Sequence, residues 1–211
     1  ALSFIRDICS ALMASLMTSA FLRWSSSAVS LSWERSPLTL TVLVSIGFAA
    51  IATVGEIAVA EKVPALFGDM GADPAGVLVK FGTSAIDIAA KHAGVLKPQL
   101  GLFEQFGEMG YAAARMLTEY ARGAGMIVIL DAKRGDIGST AEFYARELFG
   151  RYGADAATCN AYLGTDAVGP LLARGAVFAI CRTSNPGAGE LQDLEVGGRP
   201  LYERVADMVA T

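Results

Sequence analysis

The run Met126-Ile-Val-Ile-Leu130, with the charges that follow it, constrains the fold of this chain more than any other stretch. It is apolar, too short for a membrane span, and bounded by Gly123, Gly125 and Gly135, which suits a strand buried on both faces of a parallel sheet. Charge then arrives at once in Asp131-Ala-Lys-Arg-Gly-Asp136. Alternate side chains of an extended chain share a face, so Asp131 and Lys133 point the same way from the strand's carboxyl end. Asp136 follows on the turn, and Ser139 with Glu142 reads as a Ser-x-x-Glu capping box opening the next helix. The expected unit is a buried lysine held between two carboxylates, where opposite charge keeps the ammonium ionised. A purely structural ion-pair cluster at a strand end is the competing reading.

From Asp73 onward the same alternation repeats. Val77 to Ala90 carries Leu78, Phe81, Ala85, Ile86 and Ala89 at helical spacing. Gly94-Val-Leu-Lys97 reads as a short strand ending in a lysine, with Pro98 stopping its ladder. Phe103 to Arg122 reads as one helix closed by Gly123 and Gly125, and Thr140 to about Phe149 as another. Ala156-Ala-Thr-Cys159 and Val177-Phe-Ala-Ile-Cys181 read as strands, Pro170 to Ala173 as helical, and Leu201 to Thr211 as helix-like. Strands alternating with helices indicate an α/β fold with a parallel sheet. A (β/α)8 barrel fits best, because Lys97, Asp131 with Lys133, Asn160 and Arg182 all fall at strand carboxyl ends, where barrels gather their sites. A doubly wound sheet ranks second. Five strands are expected by Cys181, whereas closing such a barrel takes about 250 residues. The barrel is therefore expected to be incomplete in this chain, with about five βα units.

Composition removes several function classes. The 211 residues are 53% apolar and 18% charged, which excludes general disorder, and a net charge of −4 without a basic patch argues against nucleic-acid binding. Cys9, Cys159 and Cys181 are odd in number and far apart, which fits a reducing, cytoplasmic setting better than a disulfide or zinc framework. The single histidine, His92, sits where a helix is expected to end and reads as a cap.

Residues 1–60 form an atypical apolar segment ahead of the barrel units in 61–211. Ile5, Ile8, Leu12 and Leu16 suggest an amphipathic helix, and the serines at 25–27, 30 and 32 a loop. The 18 residues from Leu38 to Gly55 carry no charge, just reaching the length of a membrane span. Their threonines, serines and glycines favour a first barrel strand in added apolar sequence over a span. No signal peptide pattern is evident at the start.

Asp131-Ala-Lys-Arg-Gly-Asp-Ile-Gly-Ser-Thr140 resembles the signature of the orotidine 5'-phosphate decarboxylases, in the bacterial branch with the longer motif. Three further segments agree in order: Val95-Leu-Lys-Pro-Gln99 with Phe103-Glu104, Asn160-Ala-Tyr-Leu-Gly-Thr-Asp166, and Arg182-Thr-Ser-Asn-Pro186 with Glu190-Leu-Gln-Asp193. The resemblance runs from roughly Ala75 to Thr211. It implies decarboxylation of orotidine 5'-phosphate to UMP in pyrimidine biosynthesis, with no metal or organic cofactor. Lys133 would be the proton donor, Asp131 would sit against the departing carboxylate, and Lys97 would bridge Asp131 and the ribose hydroxyls. Asp136, with Ile137 and Thr140, would reach the site of a second subunit, implying a homodimer with shared sites. Ser184 would bond the pyrimidine ring and Pro186 shape its edge.

Two departures from that pattern stand out. The Gly-x-Asp-Pro that ends the family's first strand is missing; Val54-Gly-Glu-Ile57 and Ser45-Ile-Gly-Phe48 fall near its place without an aspartate. The family's phosphate-binding glycine-rich loop and arginine come from later strands, so the chain is expected to be part of a decarboxylase and to turn over poorly alone. Two alternatives stay open: a magnesium-dependent barrel enzyme such as a hexulose-phosphate synthase, and a non-catalytic or membrane-tethered remnant of the fold.

Overall fold

The computed structural model describes Ile51–Ala52, Val63 and residues 65–210. The amino-terminal helix, the serine-rich loop, nearly all of the uncharged run, Cys9 and both segments at the place of the missing aspartate lie outside the described residues. Five strands form one sheet in the order β1 (Ile51–Ala52), β2 (Val95–Leu96), β3 (Ile127–Arg134), β4 (Ala156–Asn160) and β5 (Ala176–Ile180). Every neighbouring pair is parallel. Spatial order thus equals chain order, as in a barrel wall; a doubly wound sheet would reverse order at a switch point. Among the described residues the result is five strands of a (β/α)8 barrel, which they leave incomplete.

Helices fill the crossovers: α1 (Pro74–Ala89), α2 (Leu100–Glu104), α3 (Gly107–Gly123), α4 (Gly138–Ala145) and α5 (Thr165–Leu172). Asp73 caps α1 by accepting the Gly76 amide at 2.9 Å, and Pro74 occupies the first turn, where its missing N–H costs nothing. After β5, a short 3-10 turn (Pro186–Glu190) leads into the hairpin β6 (Glu195–Val196) and β7 (Arg199–Pro200), then α6 (Leu201–Ala210). Among the described residues no helix is long and apolar enough to cross a membrane.

The core lies between sheet and helices. Val128 and Leu130 of β3 join Leu78, Ile86, Leu96, Leu100, Phe103, Leu117 and Leu148 in one buried cluster. Burying each such side chain contributes about 1.5–3 kcal/mol. Thr118 is wholly buried there and returns its hydroxyl to the Ala114 carbonyl at 2.8 Å. Helix α3 approaches its neighbours closely because two contacts lack a side chain: a Cβ on Gly110 would lie 1.7 Å from the Phe103 carbonyl oxygen, and one on Gly82 2.6 Å from Leu117.

Three local expectations need correction. The helix expected from Phe103 to Arg122 is two helices, broken at Gln105–Phe106, with Gly107 at φ +57° making the corner. The apolar spacing continues through the break and so hides it. Ser139 does not cap α4: Ile137 is its N-cap, Gly138 enters at φ +54°, and Glu142 pairs with Arg146 instead of reaching back. Beyond Ala145 that helix widens into a π turn over Arg146–Arg151. Pro98 does not end the β2–β3 pairing either, since its carbonyl accepts the Asp131 amide at 2.9 Å and Gln99 bridges Asp131 beyond it.

Candidate active site

The carboxyl ends of β2, β3 and β4 converge on Asp131. Its side chain is 8% exposed, while those of Lys97 and Lys133 are 30% and 46% exposed. Lys97, just past β2, contacts Oδ2; Lys133 of β3 contacts Oδ1. The Thr158 hydroxyl on β4 also donates to Oδ1, at 2.9 Å. Burial works to raise the Asp131 pKa, but hydrogen bonds from Lys133 and Lys97, the Lys97 charge and the Thr158 hydroxyl outweigh it and hold the carboxyl below its ordinary value.

Within the single chain the buried group is the Asp131 carboxylate, set between the two more exposed lysines. Among the described residues no ion pair joins Lys133 to Asp136, whose Oδ1 accepts the amide of Ile137 at 2.8 Å. Asp136 sits on the turn after β3, 55%-exposed Ile137 follows it, and exposed Thr140 lies in the first turn of α4. That turn rests on β4, where a Cβ on Gly135 would meet Asn160 at 3.1 Å.

The backbone at the cluster is unusual. Lys133, at φ +50°, is the only non-glycine with positive φ among the described residues, and the β3–β4 register shifts between Leu130 and Arg134. A left-handed backbone costs an ordinary residue about 1–3 kcal/mol and persists only when its surroundings enforce it. The Lys133 amide donates to Thr158 Oγ1 at 2.9 Å, and its ammonium approaches Gln99 Oε1 at 3.5 Å. The bulge turns the Lys133 side chain back over Asp131 instead of letting it run on with the strand.

Directly behind the cluster, Arg134 is wedged between Glu104 and Glu147, with its guanidinium 5.3 Å from the Tyr144 ring centre. Burial pushes its pKa down, but the two glutamates raise it overall, so it stays charged. Its Nε and the Tyr152 hydroxyl are buried without hydrogen-bond partners.

Ser184 and Pro186 lie on the exposed loop after β5, on the same rim of the sheet. Among the described residues no hydrogen bond joins either to the Asp131 cluster. A clasp shapes this loop: Arg182 grips Asp193 through two bonds of 2.8 Å, and Gln192 Oε1 accepts the Thr183 amide at 2.7 Å. Thr158 and Arg134 were not anticipated. Thr158 stands two residues before Asn160 on an otherwise apolar strand, so period-two spacing was its available signal; nothing local marks the distant partners of Arg134.

The family model for "Orotidine 5'-phosphate decarboxylase / HUMPS family" matches residues 81–210. The orotidine 5'-phosphate decarboxylase of Azoarcus sp. (strain BH72) is 48% identical over 136 residues, covering 63% of this chain and 50% of that protein. That of Roseiflexus castenholzii is 45% identical over 148 residues, covering 69% of this chain and 54% of that protein. The chain therefore spans about half the length of the curated relatives it matches. The solved OMP decarboxylase of Leishmania donovani superposes with a TM-score of 0.61 at 41% identity, covering 63% of this chain and 54% of that one. Sequence, strand order and the run of residues from 81 to 210 agree, and the chain belongs to the orotidine 5'-phosphate decarboxylase / HUMPS family.

Proposed function

We propose that the protein acts in the decarboxylation of orotidine 5'-phosphate to UMP, the step that supplies a pyrimidine nucleotide. One observation carries the reading: a buried Asp131 lodged between two lysines at the carboxyl rim of parallel strands. The substrate carboxylate would be set against Asp131. As the carbon–carboxylate bond breaks, carbon dioxide leaves and the electron pair stays on the ring carbon. The Lys133 ammonium gives that carbon a proton and regains one from water. Lys97 keeps Asp131 ionised and reaches the ribose hydroxyls; Ser184 bonds the pyrimidine ring and Pro186 bounds its edge. The catalytic effect is electrostatic, because preorganised charges favour the carbanion-like transition state over the ground state.

Asp136, Ile137 and Thr140 serve the site of a second copy, so the working unit is a homodimer in the cytoplasm. The exposure of Ile137 and Thr140, which closely follow the half-buried Asp136, supports this reading. Relatives named as orotidine 5'-phosphate decarboxylases favour this substrate over the sugar phosphate of a hexulose-phosphate synthase. The test is a spectrophotometric assay on the 211-residue chain and on one extended through the remaining length of its relatives, with Lys133→Ala as the blank. Substrate loss with UMP as product is expected, most strongly in the extended chain. No turnover above the Lys133→Ala blank in either would overturn the proposal. Mixing Lys133→Ala with Asp136→Ala subunits tests the shared site, and activity should reappear in the heterodimer.

A further inference from the structure

The carboxylate of Asp131 could rotate, and Lys133 could relax to an extended backbone; either change would alter which oxygen each ammonium meets. One hydroxyl opposes both. Thr158 Oγ1 lies 2.9 Å from Asp131 Oδ1 and 2.9 Å from the Lys133 amide nitrogen. A hydroxyl has one proton and two lone pairs, so it can donate to the carboxylate and accept from the amide at the same time. Thr158 is held on β4 by pairing with Phe178 of β5, and its two neighbours Ala157 and Cys159 are buried. It is thus a fixed post beside the bulge, not a mobile surface group.

We infer that Thr158 is a positioning residue, which holds the Asp131 carboxylate in one rotation and Lys133 in its left-handed backbone so that the lysines address different carboxylate oxygens. Lys97 then takes Oδ2, while Lys133 shares Oδ1 with the hydroxyl. Valine matches threonine in shape but can neither donate nor accept, whereas serine keeps the hydroxyl and loses only a methyl. The role in turnover rests on the proposed decarboxylation; the role in geometry does not.

The experiment compares wild type with Thr158→Val and Thr158→Ser, and with Thr158→Ala should valine fail to fold. Two readouts need no substrate: carbon-13 titration of the Asp131 carboxyl and hydrogen exchange at the Lys133 amide. Thr158→Val should raise the Asp131 midpoint and speed exchange at Lys133, and Thr158→Ser should restore both. Losing a hydrogen bond to a charged group should also lower kcat about 10- to 100-fold, with KM changed by less than about threefold. If wild type fails to decarboxylate the nucleotide, the functional reading falls, while titration and exchange still decide the part played by Thr158. Wild-type titration and exchange in a folded valine or alanine variant would overturn the inference. So would a serine variant as impaired as valine, since the lost methyl would then be what matters.

Discussion

Lys97 and Asp131 are 34 residues apart in the chain and in direct ion-pair contact across the β2–β3 pairing. Asp131 faces a second ammonium from Lys133, so each lysine has a separable effect on the same carboxylate. Removing Lys97 as Lys97→Met should leave the fold intact, because its side chain is 30% exposed, yet raise the Asp131 pKa. Turnover should fall by about 10²–10³, the cost of deleting one preorganised electrostatic group. Steady-state kinetics with a thermal melt on the same sample checks both halves.

The depressed pKa of Asp131 fixes the sign of a pH effect. A carboxyl whose folded-state pKa lies below its unfolded value stabilises the fold fully above that unfolded value, about 4, and loses this contribution as pH falls through the folded one. Wild type should therefore lose stability below about pH 4 more steeply than Asp131→Asn, with the two running parallel near neutrality. Urea unfolding at a series of pH values reads the difference directly.

Arg134 and Arg182 each grip a carboxylate, but their surroundings differ. The Arg134 side chain is 18% exposed between Glu104 and Glu147; that of Arg182 is 46% exposed beside Asp193. Arg134→Met strands two glutamates in a half-buried site and should cost about 3 kcal/mol by denaturant unfolding. Arg182→Met should leave the midpoint almost unmoved while loosening the loop that carries Ser184 and Pro186.

Burial pushes the Cys159 thiol up to about 11 and also raises that of the less buried Cys181. Thiolate is the reactive form, so native protein at pH 8 should be alkylated faster at Cys181 than at Cys159, with both reacting in denaturant. Peptide mapping after timed iodoacetamide treatment checks this order.

Strands β2 to β5 were legible as short apolar runs that lead into a polar or charged residue, whereas the β6–β7 hairpin has no such run and was not read. The α2–α3 break was not, since Phe103, Phe106 and Gly110 keep a helical period across it and only the positive φ of Gly107 makes the corner. At the site, shared parity pointed to Lys133 beside Asp131, but the left-handed bulge through which the pair meets has no local signal. Which partner is buried depends on β2 and β4 flanking β3, and no local pattern around residue 131 reports that. Thr158 shares the parity of Asn160, but its importance comes from the register between Leu130 and Arg134, a property of two strands together.

Because neighbours in space are neighbours in sequence along this sheet, the Asp131 cluster is complete once Thr158 has joined its strand. Growing from its amino terminus, the chain could bring Lys97, Asp131, Lys133 and Thr158 together from three successive strands, with the pairing of Thr158 to Phe178 of β5 fixing the post afterwards. Closures between successive strands cost less loop entropy than pairings between distant ends of the chain would, which favours stepwise assembly. The polar centre would then act as a folding landmark at the β3 bulge, made secure when β5 joins the sheet.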